Sequence, residues 1–410
     1  MSRGHSAGAR QTVLRAAFSC ASAGLLETPE GSGWTICRDT APLHRWIGPL
    51  LAVRYQGDQG NQISFDSMMW ILAAFWLVGA QAQLQDLPTG LSAFLHEAMG
   101  LDSAQIQAVR RGDAVVTVLD TELQRDIAVF GIAAVALSRD EYVRRVLDFG
   151  DSAASPTRRS FGVFSHPPTP ADVRDVTIHQ RDVDEMKDCR PGACAMKLPA
   201  TDMSRLRQEI DWSASDAQAR LSAYARERLL EYVADYRARG DAASVTYDDR
   251  GSVRASEAFA DLLAATPQVY RYVPALHRYL TGYPAVTLPQ ATEVLFWSED
   301  VSPRLRPVLS VTHLVVYAPP EYPDVTLVAA KQIYANHYFE AAFDLTCFVE
   351  ATADGGGRGY LVVLRRYRFD RLASGGPLDL RGRALTAFRE QLLADLQRQQ
   401  RAGDPGSPDR

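Results

Sequence analysis

What is scarce in this chain removes several classes of function. Positive charge is not in excess: 44 Lys and Arg stand against 49 Asp and Glu, a net charge of -5. The basic field that phosphate binding needs is therefore missing, which argues against a nucleic-acid partner. Long apolar runs are missing too, since a bilayer span needs about 20 consecutive apolar residues and no segment reaches that length. Cysteine is rare, 5 in 410 residues. No His-x-x-x-His, Gly-x-Ser-x-Gly, Ser-x-x-Lys, Walker or dinucleotide fingerprint stands in a fitting context, so no cofactor is indicated.

What is present is ordinary globular material, 46% hydrophobic and 23% charged, which excludes general disorder and a polytopic membrane protein. The first 67 residues lack sustained periodicity. At Met68-Met69 the pattern changes to the apolar run Trp70–Val78, followed by Gly79-Ala80-Gln81-Ala82-Gln83. A short apolar core ending in Ala-x-Ala reads as a signal peptide over 68–82, with a buried core helix as the alternative. We expect translation to start at Met68 or Met69, and Met1–Ser67 to be an upstream extension of the reading frame or disordered. No Lys or Arg precedes the apolar run after those starts. The mature chain would then be periplasmic or secreted.

From Gln83 the chain is regular. Helices are expected at Leu87–Met99 and Ser103–Val109, strands at Ala114–Leu119 and Ile127–Leu137, and a helix capped by Ser138. A proline-rich loop with a short strand at Phe161–Phe164 leads to an acidic stretch, Asp172–Asp188. Helices follow at Met203–Ile210, Asp216–Arg239, Ser256–Ala264 and Gln268–Leu280. Tyr270, Tyr272, Tyr279 and Tyr283 in this section read as packing residues with hydroxyls near water, or else as an aromatic platform for a ligand. Strands return at Glu293–Trp297, Val308–Tyr317, Val325–Tyr334, Leu345–Ala351 and Tyr360–Phe369. The glycine run 354–359 joins two strands and reads as a hairpin turn rather than a phosphate cradle. Helix Arg383–Gln399 closes a single elaborated domain, 83–402, and the tail 403–410 has a disordered composition.

Cys20 and Cys37 fall in the segment expected to be lost. Cys189-Arg-Pro-Gly-Ala-Cys194 places two thiols around a Pro-Gly turn, and an oxidising compartment makes a disulfide the natural product. Zinc would need further ligands, of which only His179 is near in sequence, and the spacing is not that of a redox-active pair. Cys347 alternates with Leu345 and Val349 and reads as a small buried hydrophobe.

Strand alternation puts Leu309, Val311, His313, Val315 and Tyr317 on one face, and Lys331 with Leu327, Ala329 and Ile333. A lysine among such neighbours is costly unless paired or beside a cavity. His337 and Tyr338 follow, then Glu340. One reading gathers His313, Lys331, Tyr334, His337, Tyr338 and Glu340 around a ligand head group, with His313 and His337 as candidate acid–base catalysts. The other has them satisfy one another at an edge or rim.

The order of elements resembles the helix-grip fold of the START and Bet v 1-like superfamily, through Ile127–Leu137 with Arg139–Phe149 at one end and Glu293–Phe369 with Arg383–Gln399 at the other. The resemblance implies an α+β fold in which a long C-terminal helix lies across an antiparallel sheet and encloses an apolar cavity. The helical, cysteine-bearing stretch 169–289 would be a large insertion. The wording Cys-x-x-Gly-x-Cys and Lys-Gln-Ile-Tyr-Ala-x-His-Tyr-Phe also resembles a group of exported bacterial proteins, which implies no activity. The resulting expectation is an exported protein that binds an apolar or lipid-like small molecule between its sheet and last helix. An enzyme using His313 or His337 in that cavity and an envelope protein whose helical section serves a protein partner are the alternatives.

Overall fold

Chain punctuation sets the elements. The computed structural model describes residues 87–149, 157–302, 305–351, 357–372 and 379–403, all within one compact unit, Val78–Arg410. The expected signal peptide, the extension before it and residues 404–410 of the tail lie outside the described residues; Gly403 ends the last helix. Helices α1 (Thr89–Glu97) and α2 (Ser103–Arg110) precede strands β1 (Val115–Leu119) and β2 (Asp126–Val135). Asp102 and Gln105 form a reciprocal capping box at α2, and the Ser138 side chain accepts the Glu141 N–H at 3.2 Å at the start of α3 (Arg139–Leu147). Strand β3 (Arg158–Val163) follows.

The middle section is helical: α4 (Gln180–Met186), α5 (Ala200–Glu209), α6 (Ala217–Arg239), α7 (Ala255–Ala264), α8 (Pro267–Tyr270) and α9 (Pro274–Gly282), with a small hairpin of β4 (Thr246–Tyr247) and β5 (Val253–Arg254). The sequence pattern predicts one helix over Gln268–Leu280, but two form. Val273 leaves the helical region at φ -135° and ψ 58° because a residue before proline is pushed out of it, and Pro274 then opens α9. At the end of α6, Gly240 takes φ +54°, and a Cβ there would lie 1.8 Å from the Tyr283 carbonyl oxygen.

The last section is a meander of β6 (Thr292–Asp300), β7 (Val308–Tyr317), β8 (Val325–Ala335), β9 (Phe339–Glu350) and β10 (Gly359–Phe369), closed by α10 (Leu380–Gly403). All eight long strands make one antiparallel sheet in the order β1-β2-β10-β9-β8-β7-β6-β3. The chain is thus mixed α+β with a large antiparallel sheet and a C-terminal helix.

Helices cover both faces of the sheet. Against one face, Leu392 and Leu396 of α10 pack with Val129, Leu361 and Val363, and Tyr142 of α3 stacks on Phe348. The cavity expected between the sheet and the last helix is not seen among the described residues: a Cβ on Gly131 would meet Leu396 Cδ1 at 2.8 Å and Leu392 Cδ2 at 3.0 Å, and neither large cavity includes α10. The opposite face carries Leu309, Val311, Leu327, Phe343 and Leu364, buried under α1, α7, α9 and the segment from α4 to α6. A sheet covered on both sides explains why its strands read as nearly continuous apolar runs. Among the described residues no helix is long and apolar enough to cross a membrane.

Candidate functional site

The charged and imidazole candidates His313 and Lys331 lie on the sheet face away from α10, while the α10 face carries Arg365, paired with Asp395 at 2.8 Å. His313 and Lys331 stand opposite each other in the β7–β8 ladder, 1% and 2% exposed. Tyr236 of α6 places its hydroxyl 3.0 Å from His313 Nδ1, while Nε2 lies 3.3 Å from the Tyr279 hydroxyl and 3.5 Å from Glu293 Oε2. A neutral ring carrying its proton on Nε2 satisfies these partners, with Tyr236 donating to Nδ1. Burial pulls the His313 pKa below its ordinary value, and Glu293 opposes that pull only in part. Hydrogen bonds from His313 and Tyr279 hold Glu293 below the usual carboxylate range.

The Lys331 ammonium is 2.6 Å from Asp241 Oδ1, donates to the Leu280 carbonyl at 3.2 Å and sits 4.4 Å from the Phe259 ring centroid. Burial depresses its pKa and Asp241 counteracts this. Both residues are therefore held inside a sealed seam between sheet and helices, and neither lines a large cavity.

The other sequence candidates lie elsewhere. His337 follows the end of β8, 2% exposed, with Nδ1 3.1 Å from the Ala195 carbonyl oxygen. Its Nε2 is 3.2 Å from Asp182 Oδ1 but off line for a hydrogen bond. Burial alone would raise the Asp182 pKa, but His337 and Arg306, the latter at 2.8 Å, outweigh it and keep the carboxylate ionised. Tyr338 takes φ +61° to turn the chain into β9, and its hydroxyl accepts the Arg306 backbone N–H at 2.9 Å. Glu340, 5% exposed, pairs with Arg125, and burial raises its pKa. Of this group His337 meets the chain just after the loop closed by the Cys189–Cys194 disulfide, whose Cα atoms are 4.4 Å apart. His179 instead pairs with Glu299 at 2.6 Å. Among the described residues no group of three His, Cys, Asp or Glu is placed to hold a metal ion.

Two cavities open on this sheet face. The larger, about 870 Å³, lies among α5, α6 and the β4–β5 hairpin over Leu309 and Tyr334. Tyr334 packs between the rings of Tyr232 and Tyr247, with no hydrogen bond to its hydroxyl among the described residues. Asp202 at this cavity is occupied by the Tyr224 hydroxyl at 3.0 Å and by Arg228 at 3.3 Å.

The smaller, about 400 Å³, is a cleft between α1 and strands β8, β9 and β10. Leu91 and Phe94 of α1 face Phe130, Leu327, Leu345, Val362 and Leu364, and Cys347 lies on the floor. Burial pushes the Cys347 thiol up to about 12. The cleft reaches the surface beside Tyr272 and Tyr322, 44% and 42% exposed.

No family model, no curated protein and no solved structure matches the chain. Function therefore rests on geometry. The sequence candidates divide among the sealed seam for His313 and Lys331, the chain beside the disulfide loop for His337, the contacts with Arg306 and Arg125 for Tyr338 and Glu340, and the wall of a cavity for Tyr334. The apolar cleft residues are missed at the sequence level because Leu91, Leu345 and Val362 look like core. Their only signal is that the strands are apolar on both faces, so that something must cover each.

Proposed function

We propose that the protein binds an apolar or amphipathic, lipid-like small molecule in the cleft between α1 and strands β8–β10. One observation carries the reading: a volume of about 400 Å³ lined mainly by apolar side chains of the sheet, α1 and the α8–α9 junction, with the β7–β8 connection at its mouth. Ligand sites are typically concave, largely apolar and of about 300–1,000 Å³. The proposal includes likeness to the helix-grip fold, supported by the long C-terminal helix lying on the sheet, although the cleft lies on the sheet face opposite that helix and not between the two as the resemblance implies. It also includes export to an oxidising compartment, supported by the Cys189–Cys194 disulfide.

Acid–base catalysis by His313 or His337 is less well supported, because both are sealed from the large cavities and held by fixed partners. The test is fluorescence titration with the neutral dye N-phenyl-1-naphthylamine. Saturable enhancement is expected, together with its loss in Leu345→Trp, which fills the cleft. Enhancement that survives Leu345→Trp in a folded variant places the dye elsewhere and overturns the reading.

A further inference from the structure

The mouth of the cleft has a chemistry of its own. Its lining includes three charged residues, Glu321, Asp324 and Glu350, all acidic, and neither Lys nor Arg. Glu350 is paired: Arg139 Nη1 lies 3.8 Å from it and also donates to the Pro323 carbonyl at 2.5 Å. Glu321 and Asp324 are exposed, in the connection between β7 and β8, and no ion pair engages either side chain among the described residues. Tyr322 lies between them in sequence, and Tyr272 belongs to the same rim, edge-on to Phe94 with centroids 5.4 Å apart. Exposed aromatic rings beside unpaired carboxylates form the kind of mouth that attracts an ammonium group, through the ring quadrupole and through charge. A carboxylate or phosphate head would instead face two like charges, and Arg139 beside them is already engaged by Glu350 and the Pro323 carbonyl.

We infer that the occupant of the cleft is a single-chain amphiphile with an ammonium head, primary or quaternary, its chain on the apolar floor and its head between Tyr272, Tyr322, Glu321 and Asp324. This rests on the reading of the cleft as a ligand site and names the ligand class. Fatty acids and other anionic amphiphiles are selected against at the rim.

The experiment is displacement of N-phenyl-1-naphthylamine from the full chain, at low salt and below micelle concentrations, by three probes sharing a decyl chain: decyltrimethylammonium, decanol and decanoate. The cation is expected to compete about tenfold better than decanoate, with decanol between. Glu321→Gln combined with Asp324→Asn, both at exposed sites, should shrink that difference to about twofold, and added salt should do the same. Equal displacement by all three probes, or stronger displacement by decanoate, overturns the ammonium assignment and leaves the cleft as an apolar site. Failure of all three to displace a dye that binds at the cleft overturns both.

Discussion

His313 and Lys331 are direct neighbours across the β7–β8 ladder, and α9 meets both, with the Tyr279 hydroxyl at the ring of one and the Leu280 carbonyl accepting from the other, while Tyr236 of α6 and Glu293 of β6 complete the first set and Asp241 the second. The seam fastens helices to sheet by polar contacts through an apolar interface. Its members are consequently sensitive to the loss of one partner.

Asp241→Ala leaves the 2%-exposed Lys331 ammonium without its counter-charge. We expect a loss of about 3 kcal/mol in unfolding free energy, read by urea denaturation. Lys331→Met replaces the ammonium by an apolar side chain of similar length and should cost clearly less. The reverse order would mean that the pair, rather than the burial, dominates.

The pH dependence of stability should carry the signature of His313. Burial holds its folded pKa below the ordinary 6.5, with Lys331 and Arg237 pushing the same way and Glu293 opposing. The unfolded chain therefore takes up more protons below 6.5, and this contribution is present above that value and lost as pH falls toward the folded pKa. Glu293, depressed from 4.5, adds its own loss only at lower pH. Unfolding free energy between pH 7 and about 5 should thus fall less steeply in His313→Gln than in the wild type, whatever the offset between the two. Parallel curves would show that the ring is not held neutral.

Removal of the Cys189–Cys194 disulfide by double alanine substitution should cost about 2 kcal/mol, the entropy of a short closed loop. Because the Ala195 carbonyl meets His337 and the Lys197 amide donates to the Asn336 carbonyl at 2.9 Å, faster hydrogen exchange should reach the β8–β9 turn. Exchange confined to 189–194 would sever that link.

Cys347, on the floor of the cleft with its pKa near 12, should react slowly with iodoacetamide at neutral pH and fully after unfolding. Saturating decyltrimethylammonium should slow alkylation of the folded chain by severalfold. An unchanged rate would place that ligand outside the cleft.

Much of the fold is legible in the sequence, for a local reason. Alternation locates β7 at Val308–Tyr317 and places Lys331 with Leu327 and Ala329, as observed. Ser138 and Gly240 mark helix ends because capping and positive φ are decided by one residue. The grouping of His313, Lys331, Tyr334, His337, Tyr338 and Glu340 is only partly legible. A bulge between Val311 and Thr312 and the turn at Tyr338 separate residues that sequence proximity groups together. Strand β9 begins at Phe339, earlier than Leu345, because Ala341 and Ala342 are small enough to escape a hydrophobic pattern but suit a sheet buried on both faces. The position of the cleft depends on which helices cover which face, and that is set by contacts such as Phe94 with Phe130, which no window of neighbouring residues encodes.

The strand order has a consequence for how the molecule is made. Strands β1 and β2 enter the sheet only through β10, with Ile132 opposite Val362, so the earliest strands stay without an anchor until almost the whole chain has emerged. During synthesis the β2 edge is therefore exposed and apolar until β10 arrives. Chains cut before Gly359 should accumulate as aggregates rather than as shortened native protein.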